Sequence, residues 1–157
     1  MSNLIPKFFR EFLLNPNTLT VLSTPNEDGS AHLVFDSSIH IGEDGRIVYL
    51  EFEEFSATNK NLVRSIWFSK RITLQVRTAD GREFQIRGLP WKALIGGPLY
   101  EKYYNEGQKR SRELGLSTVW LITPESFTEE TPAVRAQRDS EGRIPLIHLD
   151  RLTRAEA

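Results

Sequence analysis

The sequence predicts a mainly β protein, a six-stranded antiparallel barrel with flanking helices. Asp-Gly pairs at 28–29, 44–45 and 80–81 each lie between apolar runs. Such pairs mark tight hairpin turns, because these turns need positive φ angles that Gly adopts without strain. In addition, apolar and polar residues alternate from 71 to 77, which is typical of an antiparallel strand with one solvated face.

The predicted elements follow one another along a single domain that spans residues 1–157. Apolar residues at helical spacing after Pro6 predict an N-terminal helix within 1–15, which would cap one end of the barrel. Strands are predicted at 19–24, 31–41, 47–52, 71–77, 83–88 and 118–123. A helix that begins near Ser56 is inserted after the third strand, and another is predicted to begin at 96–98.

Residues 125–157 are predicted to form a loop and a docking tail. From 125 to 142 the chain is acidic, contains prolines and shows weak patterning, so a loop is expected. The short apolar segment 144–149 is expected to dock, and a partner subunit is one surface that could receive it.

Composition argues against several functional classes. The formal net charge of −1 disfavours strong binding to nucleic acid or to an anionic membrane. Without cysteine there is no disulfide, no thiol nucleophile and no cysteine-ligated zinc. No apolar run reaches the roughly 20 residues that span a bilayer. Arg10 and Glu11 interrupt the apolar residues near the N-terminus, so no signal peptide is expected and the expected localisation is cytoplasmic.

Two groups of polar residues are interpreted as structural. The three histidines, His32, His40 and His148, are too scattered along the chain for a metal site. The second group is an acidic cluster that consists of Glu51, Glu53 and Glu54. This cluster could hold a cation, but solvated charges on an exposed loop explain it better.

The strongest candidate site surrounds the start of the inserted helix. Hydroxyl and basic side chains converge there: Ser37, Ser38, Ser56, Thr58, Lys60 and Arg64. Hydroxyls, the free amides of a first helical turn and cations are the groups that hold a phosphate. Ser56 is equally well explained as a helix N-cap, because capping and phosphate binding use the same groups. The residues alone leave these two interpretations at even odds.

Three stretches of the chain follow one another in an order that is typical of a known protein family. They read "LTVLSTPNEDGSAHLVFDSSIHIGEDGRIVYL", "FSATNKNLVRS" and "RITLQV…FQIRGLP", within about residues 8–123. This pattern resembles the FMN-binding split barrels related to pyridoxamine 5'-phosphate oxidase, and the small clostridial and sulfate-reducer flavin proteins more than the oxidase itself. The resemblance implies a six-stranded split barrel, a homodimer, and FMN held in a groove between the two subunits.

By position, the resemblance implies cofactor-binding roles for ten residues. The side of the isoalloxazine ring and ribityl chain would be lined by Phe35, Asp36, Ser37 and Ser38. Backbone amides would approach the ring at Glu53 and Glu54, and the phosphate loop would be Ser56, Ala57 and Thr58. The family's structural Asn-Leu pair corresponds to Asn61 and Leu62.

One residue departs from the family pattern. Ala57 stands where the family commonly has a basic residue. The loss of one charge-assisted contact would cost a dianionic phosphate about 1.5–3 kcal/mol. Lys60 or Arg64 could supply the missing positive charge from the next helical turn. Lys60 is the tenth of the residues to which the resemblance gives a cofactor-binding role.

The leading functional hypothesis is FMN-dependent redox chemistry, as an oxidoreductase or an electron carrier for a small substrate or redox partner. No side chain is identified as a general acid or base, so no catalytic residue is predicted. The alternative is a non-enzymatic split-barrel dimer that has lost flavin affinity or binds another planar ligand such as haem. Trp91, Trp120 and the tail offer apolar surface for the predicted homodimer.

Overall fold

The computed structural model describes residues 4–110 and 115–141. That part of the chain contains seven strands and four helices. In chain order they are α1 (Lys7–Leu14), β1 (Leu19–Pro25), β2 (Ala31–Phe35), β3 (His40–Ile41), β4 (Ile47–Glu51), α2 (Ala57–Phe68), β5 (Ile72–Arg77), β6 (Glu83–Leu94), α3 (Pro98–Arg110), β7 (Thr118–Glu129) and α4 (Pro132–Ser140). None of these helices is long and apolar enough to cross a bilayer.

The strands form one antiparallel sheet in the order β2-β1-β5-β6-β7-β4-β3. The sheet curls into a split barrel, so the predicted fold class is confirmed. The three predicted Asp-Gly turns also form, because Gly29, Gly45 and Gly81 have φ angles of +85°, +84° and +86°. They join β1 to β2, β3 to β4 and β5 to β6.

The sheet has seven strands where six were predicted, because the stretch 31–41 forms two strands. A tight polar turn separates them. The Asp36 carboxylate accepts hydrogen bonds from the Ser38 amide at 2.7 Å and from the Ser38 hydroxyl at 2.5 Å. Such an Asp-centred turn competes with strand pairing. The chain therefore leaves β1 after Phe35 and pairs again with β4 at His40.

Part of the predicted C-terminal loop is regular structure. β7 continues to Glu129 and α4 follows it. Phe127 explains the extension, because its ring lies 5.1 Å from that of Phe9 and 5.5 Å from that of Phe84. The apolar segment 144–149, with His148, lies outside the described residues.

The main core fills the inside of the barrel and receives one helix at each side. Phe9 of α1 and Leu62 of α2 are both completely buried there. The Phe9 ring packs edge-on against Phe84 of β6 at 5.5 Å. Each aromatic ring in such a cluster removes a large apolar area from water, so this contact joins α1 to the barrel.

We expect Phe9→Ala to lower the free energy of unfolding by about 3–5 kcal/mol, because it leaves a cavity among packed aromatic rings. Urea denaturation measures the change. Leu14→Ala on the same helix is the control, since Leu14 is 75% exposed and its loss should cost about 0.5 kcal/mol or less. Equal effects of the two substitutions would contradict the described packing of α1.

Candidate functional site

Ser56 is the N-cap of α2, and its hydroxyl group makes two hydrogen bonds within the protein. Its hydroxyl oxygen accepts a hydrogen bond from the Asn59 amide at 2.9 Å, which is an N-cap contact. The same hydroxyl donates its proton to the Glu51 carboxylate at 2.7 Å. Both hydrogen-bonding functions of this side chain are therefore used within the protein.

The Glu51 carboxylate lies at the start of α2 and is almost fully buried, with 5% of the residue exposed. It accepts hydrogen bonds from the Tyr49 hydroxyl at 2.8 Å and from the Glu53 amide at 2.9 Å, in addition to Ser56. All three partners donate, so the carboxylate only accepts, as an ionised carboxylate does. An anion at a helix N-terminus is stabilised by the helix dipole.

The sequence analysis assigned Glu51 to an exposed acidic loop, and that interpretation is wrong. Glu51 is the last residue of β4 and shares the strand face of Ile47 and Tyr49, which belong to the main core. The signal was present in the sequence, because residues two apart in a strand face the same side. Glu53 and Glu54 are exposed, as expected.

Burial of these polar groups changes their acidity. Burial, followed by the hydrogen bond to Glu51, raises the pKa of the Tyr49 hydroxyl well above its usual value. Burial also raises the pKa of the Asp36 carboxyl, although its hydrogen bonds with Ser38 act in the opposite direction. The buried Tyr49 and Glu51 and the half-buried Asp36 thus influence one another electrostatically.

The structure divides the predicted site residues into two groups. Asp36, Ser37 and Ser38 form the β2–β3 turn, and the Ser38 hydroxyl accepts a hydrogen bond from the Leu50 amide at 3.1 Å. This links the turn to β4, which ends at Glu51. Phe35 precedes the turn and is 77% exposed.

The second group surrounds the start of α2. The Glu53 amide, expected to approach the ring, is bonded to Glu51. Glu54, Ala57 and Lys60 are exposed. Thr58 is only 2% exposed, so its position on the inner side of the helix does not suit a contact with a ligand phosphate.

The more distant cation, Arg64, is directed to the β1–β2 turn. Its guanidinium group donates to the Asn61 side-chain oxygen at 3.2 Å and lies 3.7 Å from the Glu27 carboxylate. Asn61 also donates to Thr24 and Asn26, at 3.1 Å and 2.8 Å. The family's Asn-Leu pair therefore has a structural role in this chain.

The two tryptophans expected at a subunit interface differ. Trp120 is 1% exposed and donates its indole N–H to the Asn59 side chain at 2.9 Å, so the expectation that it offers surface is wrong. It lies in β7, whose residues from Thr118 to Ile122 are all buried. Trp91 is 50% exposed, and the Arg46 guanidinium group lies 3.9 Å from its ring centre.

A cavity of about 430 Å³ lies beside the β2–β3 turn. It is lined by Leu13, Leu14, Ser37, Ser38, Ile39, His40, Leu50, Phe52, Tyr103, Glu106 and Gly107. Its size suits a small organic ligand, for which pockets of about 300–1,000 Å³ are usual. Ser37 and Ser38, which were predicted to contact a flavin, therefore lie on the wall of this cavity.

A hydrogen-bonded histidine and tyrosine form one wall of this cavity. The His40 Nδ1 atom lies 2.8 Å from the Ser38 carbonyl oxygen, and its Nε2 atom lies 2.8 Å from the Tyr103 hydroxyl. A carbonyl only accepts, so Nδ1 carries the proton, and in neutral His40 the Tyr103 hydroxyl donates to Nε2. His40 was interpreted as structural from the sequence, and this pairing across 63 residues has no local sequence signal.

No protein-family model matches the chain, and no curated protein sequence matches it. Solved structures match in fold. HupZ from Group A Streptococcus has a TM-score of 0.66 at 17% identity, over 82% of this chain and 95% of HupZ. An FMN-binding protein from Syntrophomonas wolfei has a TM-score of 0.64 at 13% identity, over 77% of this chain and 82% of that protein. A candidate pyridoxamine 5'-phosphate oxidase from Lactobacillus delbrueckii has a TM-score of 0.59 at 15% identity, over 81% and 95% of the two chains.

These comparisons establish the fold. The chain has the split-barrel architecture found in FMN-binding proteins of this type, and the resemblance drawn from the sequence is confirmed at that level. At identities of 13–17% the comparisons show nothing finer about this chain.

The residues of this chain fit the two ends of an FMN differently. The cavity offers apolar walls and the hydroxyl of Ser37, which suit a planar ring with polar edges. The start of α2 carries a buried carboxylate, and residue 57 is Ala. Like charges at close range repel each other, so the start of α2 does not fit a dianionic phosphate.

We expect Tyr103→Phe to lower the free energy of unfolding by about 1–2 kcal/mol, because it leaves the His40 Nε2 atom without its partner in a partly buried place. Chemical denaturation at neutral pH measures the change. Tyr104→Phe on the same helix is the control, because Tyr104 is 39% exposed. An unchanged stability in Tyr103→Phe would show that the His40–Tyr103 bond does not form in solution.

Proposed function

We propose that this protein is a dimeric flavin-binding protein that acts as an electron carrier or oxidoreductase, with FMN as the flavin that the resemblance implies. A bound flavin would accept and donate the electrons, and the protein would supply its position and electrostatic environment. The observation that carries the proposal is the split-barrel fold, which 77% of the chain shares with a protein named as FMN-binding.

The ring of the flavin is proposed to lie against the cavity beside the β2–β3 turn. Ser37 offers a hydroxyl there, and Leu50 and Phe52 offer apolar contact. Phe35 is adjacent and largely exposed, so its ring is available to a planar ligand. The proposed substrate is a small molecule, and no side chain of this chain is assigned as a catalytic acid or base.

A second copy of the chain is proposed to complete the groove. Val63, Ile66 and Trp67 form an exposed apolar stripe on α2, with exposed fractions of 44%, 37% and 78%. Residues three and four apart lie on one face of a helix. A contiguous apolar surface of this kind is typical of an interaction site. We call these three residues the α2 stripe and assign it to the dimer interface.

The second candidate function is a dimer that binds a planar ligand other than a flavin, such as haem, without catalysis. Its supporting observation is the buried Glu51 carboxylate at the start of α2, together with Ala57. Both features weaken the site that a flavin phosphate would need.

The visible spectrum of the purified protein distinguishes the two candidates, since a bound flavin is yellow and a bound haem is red. We expect flavin bands as isolated or after incubation with FMN. Ser37→Trp should weaken flavin binding by about tenfold or more, because the larger side chain fills the cavity. Ala31→Trp is the control, since Ala31 is exposed at the other end of β2. A protein that takes up haem and no flavin would support the second candidate instead.

We expect sedimentation of the wild-type protein at micromolar concentration to show a dimer, and Trp67→Glu to sediment as the 18.0 kDa monomer. A carboxylate in the α2 stripe would have to lose its water on association, which is unfavourable. Ile95→Glu provides the comparison, because Ile95 is 80% exposed outside the stripe. A wild-type monomer would refute the proposed dimer, and a Trp67→Glu dimer would move the interface elsewhere.

A further inference from the structure

The start of α2 already contains an anion of the protein itself. The Glu51 carboxylate accepts from Ser56, Tyr49 and the Glu53 amide at 2.7–2.9 Å. The hydroxyl of Ser56 in turn caps the Asn59 amide. These contacts occupy the Ser56 hydroxyl and the Asn59 and Glu53 amides, three groups that could otherwise bind a phosphate at a helix N-terminus.

Several nearby groups oppose the arrival of a second anion. Asp36 lies in the β2–β3 turn, which the Ser38–Leu50 hydrogen bond joins to β4 one residue before Glu51. Burial and, to a smaller extent, the charge of Glu51 raise the pKa of the Asp36 carboxyl. Arg64 cannot offset this negative charge from its described position, because it contacts Asn61 on α2 and Glu27 in the β1–β2 turn. Thr58, at 2% exposure, is turned inward. Lys60 on the next helical turn is exposed, so solvent screens its charge. A phosphate placed here would therefore meet the buried charge of Glu51 with only this screened cation to offset it among the residues that the structure describes.

We infer that this site recognises the ring and the neutral sugar-alcohol chain of a flavin, and that Glu51 excludes the ligand's phosphate from the start of α2. The inference rests on the proposed flavin-binding function and defines its ligand class. Riboflavin and FMN are then equivalent ligands, because the phosphate remains in solvent. Glu51 acts as a specificity residue in the place where the resemblance implies a phosphate loop.

Paired titrations of riboflavin and FMN, followed by quenching of flavin fluorescence, test this inference. For the wild-type protein we expect the two dissociation constants to agree within about threefold. Glu51→Gln keeps the size and hydrogen-bonding capacity of the side chain but removes its charge. We expect it to increase the affinity for FMN relative to riboflavin by about fivefold or more, since a helix N-terminus then faces the phosphate without a competing anion.

Glu101→Gln is the matched control. Glu101 lies in the first turn of α3 and is exposed, so the same chemical change at another helix start should leave the ratio of the two affinities unchanged. A wild-type protein that binds FMN about tenfold or more tightly than riboflavin would overturn the inference. An unchanged ratio in a folded Glu51→Gln variant would also overturn it.

A measurement without flavin separates this inference from the proposed function. Inorganic phosphate should raise the melting temperature of Glu51→Gln but not that of the wild-type protein, because a ligand stabilises only the folded state that binds it. If phosphate behaves in this way while neither flavin binds, Glu51 excludes anions and the flavin proposal fails. If both flavins bind and phosphate stabilises the wild-type protein, the flavin proposal stands and the exclusion by Glu51 is refuted. The measurements on the wild-type protein test both the flavin proposal and the exclusion of phosphate even if Glu51→Gln does not fold.

Discussion

The junction between β4 and α2 is the interaction on which the site depends. Glu51 ends β4 with its carboxylate buried, and Ser56 begins α2 in contact with that carboxylate. Removal of a hydrogen-bond donor from a buried carboxylate costs about 1.5–3 kcal/mol, because the carboxylate stays buried with less compensation. The junction therefore holds the start of α2 at a fixed place beside β4. Farther along the helix, Asn61 binds the β1–β2 turn and Leu62 enters the core.

The parts of the fold that the sequence predicts correctly depend on local chemistry. An Asp-Gly turn is specified by the backbone freedom of one residue, as Gly29 and Gly81 show with φ near +85°. The alternation in β5 depends on the two-residue repeat of a strand, and burial there alternates as the sequence indicates. The start of α2 is likewise a local capping signal at Ser56. Each of these features can be recognised within about ten residues of chain.

The features that the sequence analysis missed depend on contacts between distant residues. Phe127 extends β7 because it meets Phe9 and Phe84, which are far away along the chain. Trp120 is buried because Asn59 accepts its N–H across 61 residues. The turn after β2 is an exception, because its sequence signal is local. Asp36 and Ser38 form the turn, but the stretch around them has the apolar residues of a strand, so one continuous strand was predicted.

Candidate site residues are harder to predict than the fold because the same groups serve binding and capping. Ser56 illustrates this, since a hydroxyl at a helix start suits a phosphate and an internal carboxylate equally well. In this structure the Ser56 hydroxyl donates to Glu51, which lies two and four residues after the core residues Tyr49 and Ile47 on the same strand face. If the inferred exclusion of phosphate holds, the buried carboxylate under the helix start indicates the charge of the ligand better than the hydroxyls around it.

α2 places ligand recognition and subunit association on one rigid element. Its inner side buries Thr58, Asn61, Leu62 and Ser65. Its outer side carries the α2 stripe, and its N-cap Ser56 contacts Glu51. A helix transmits displacement along its axis because its backbone hydrogen bonds are continuous. Under the proposed function, association through the stripe would therefore affect the Glu51–Ser56 contact, and by linkage a ligand that changes this contact would affect association to the same extent.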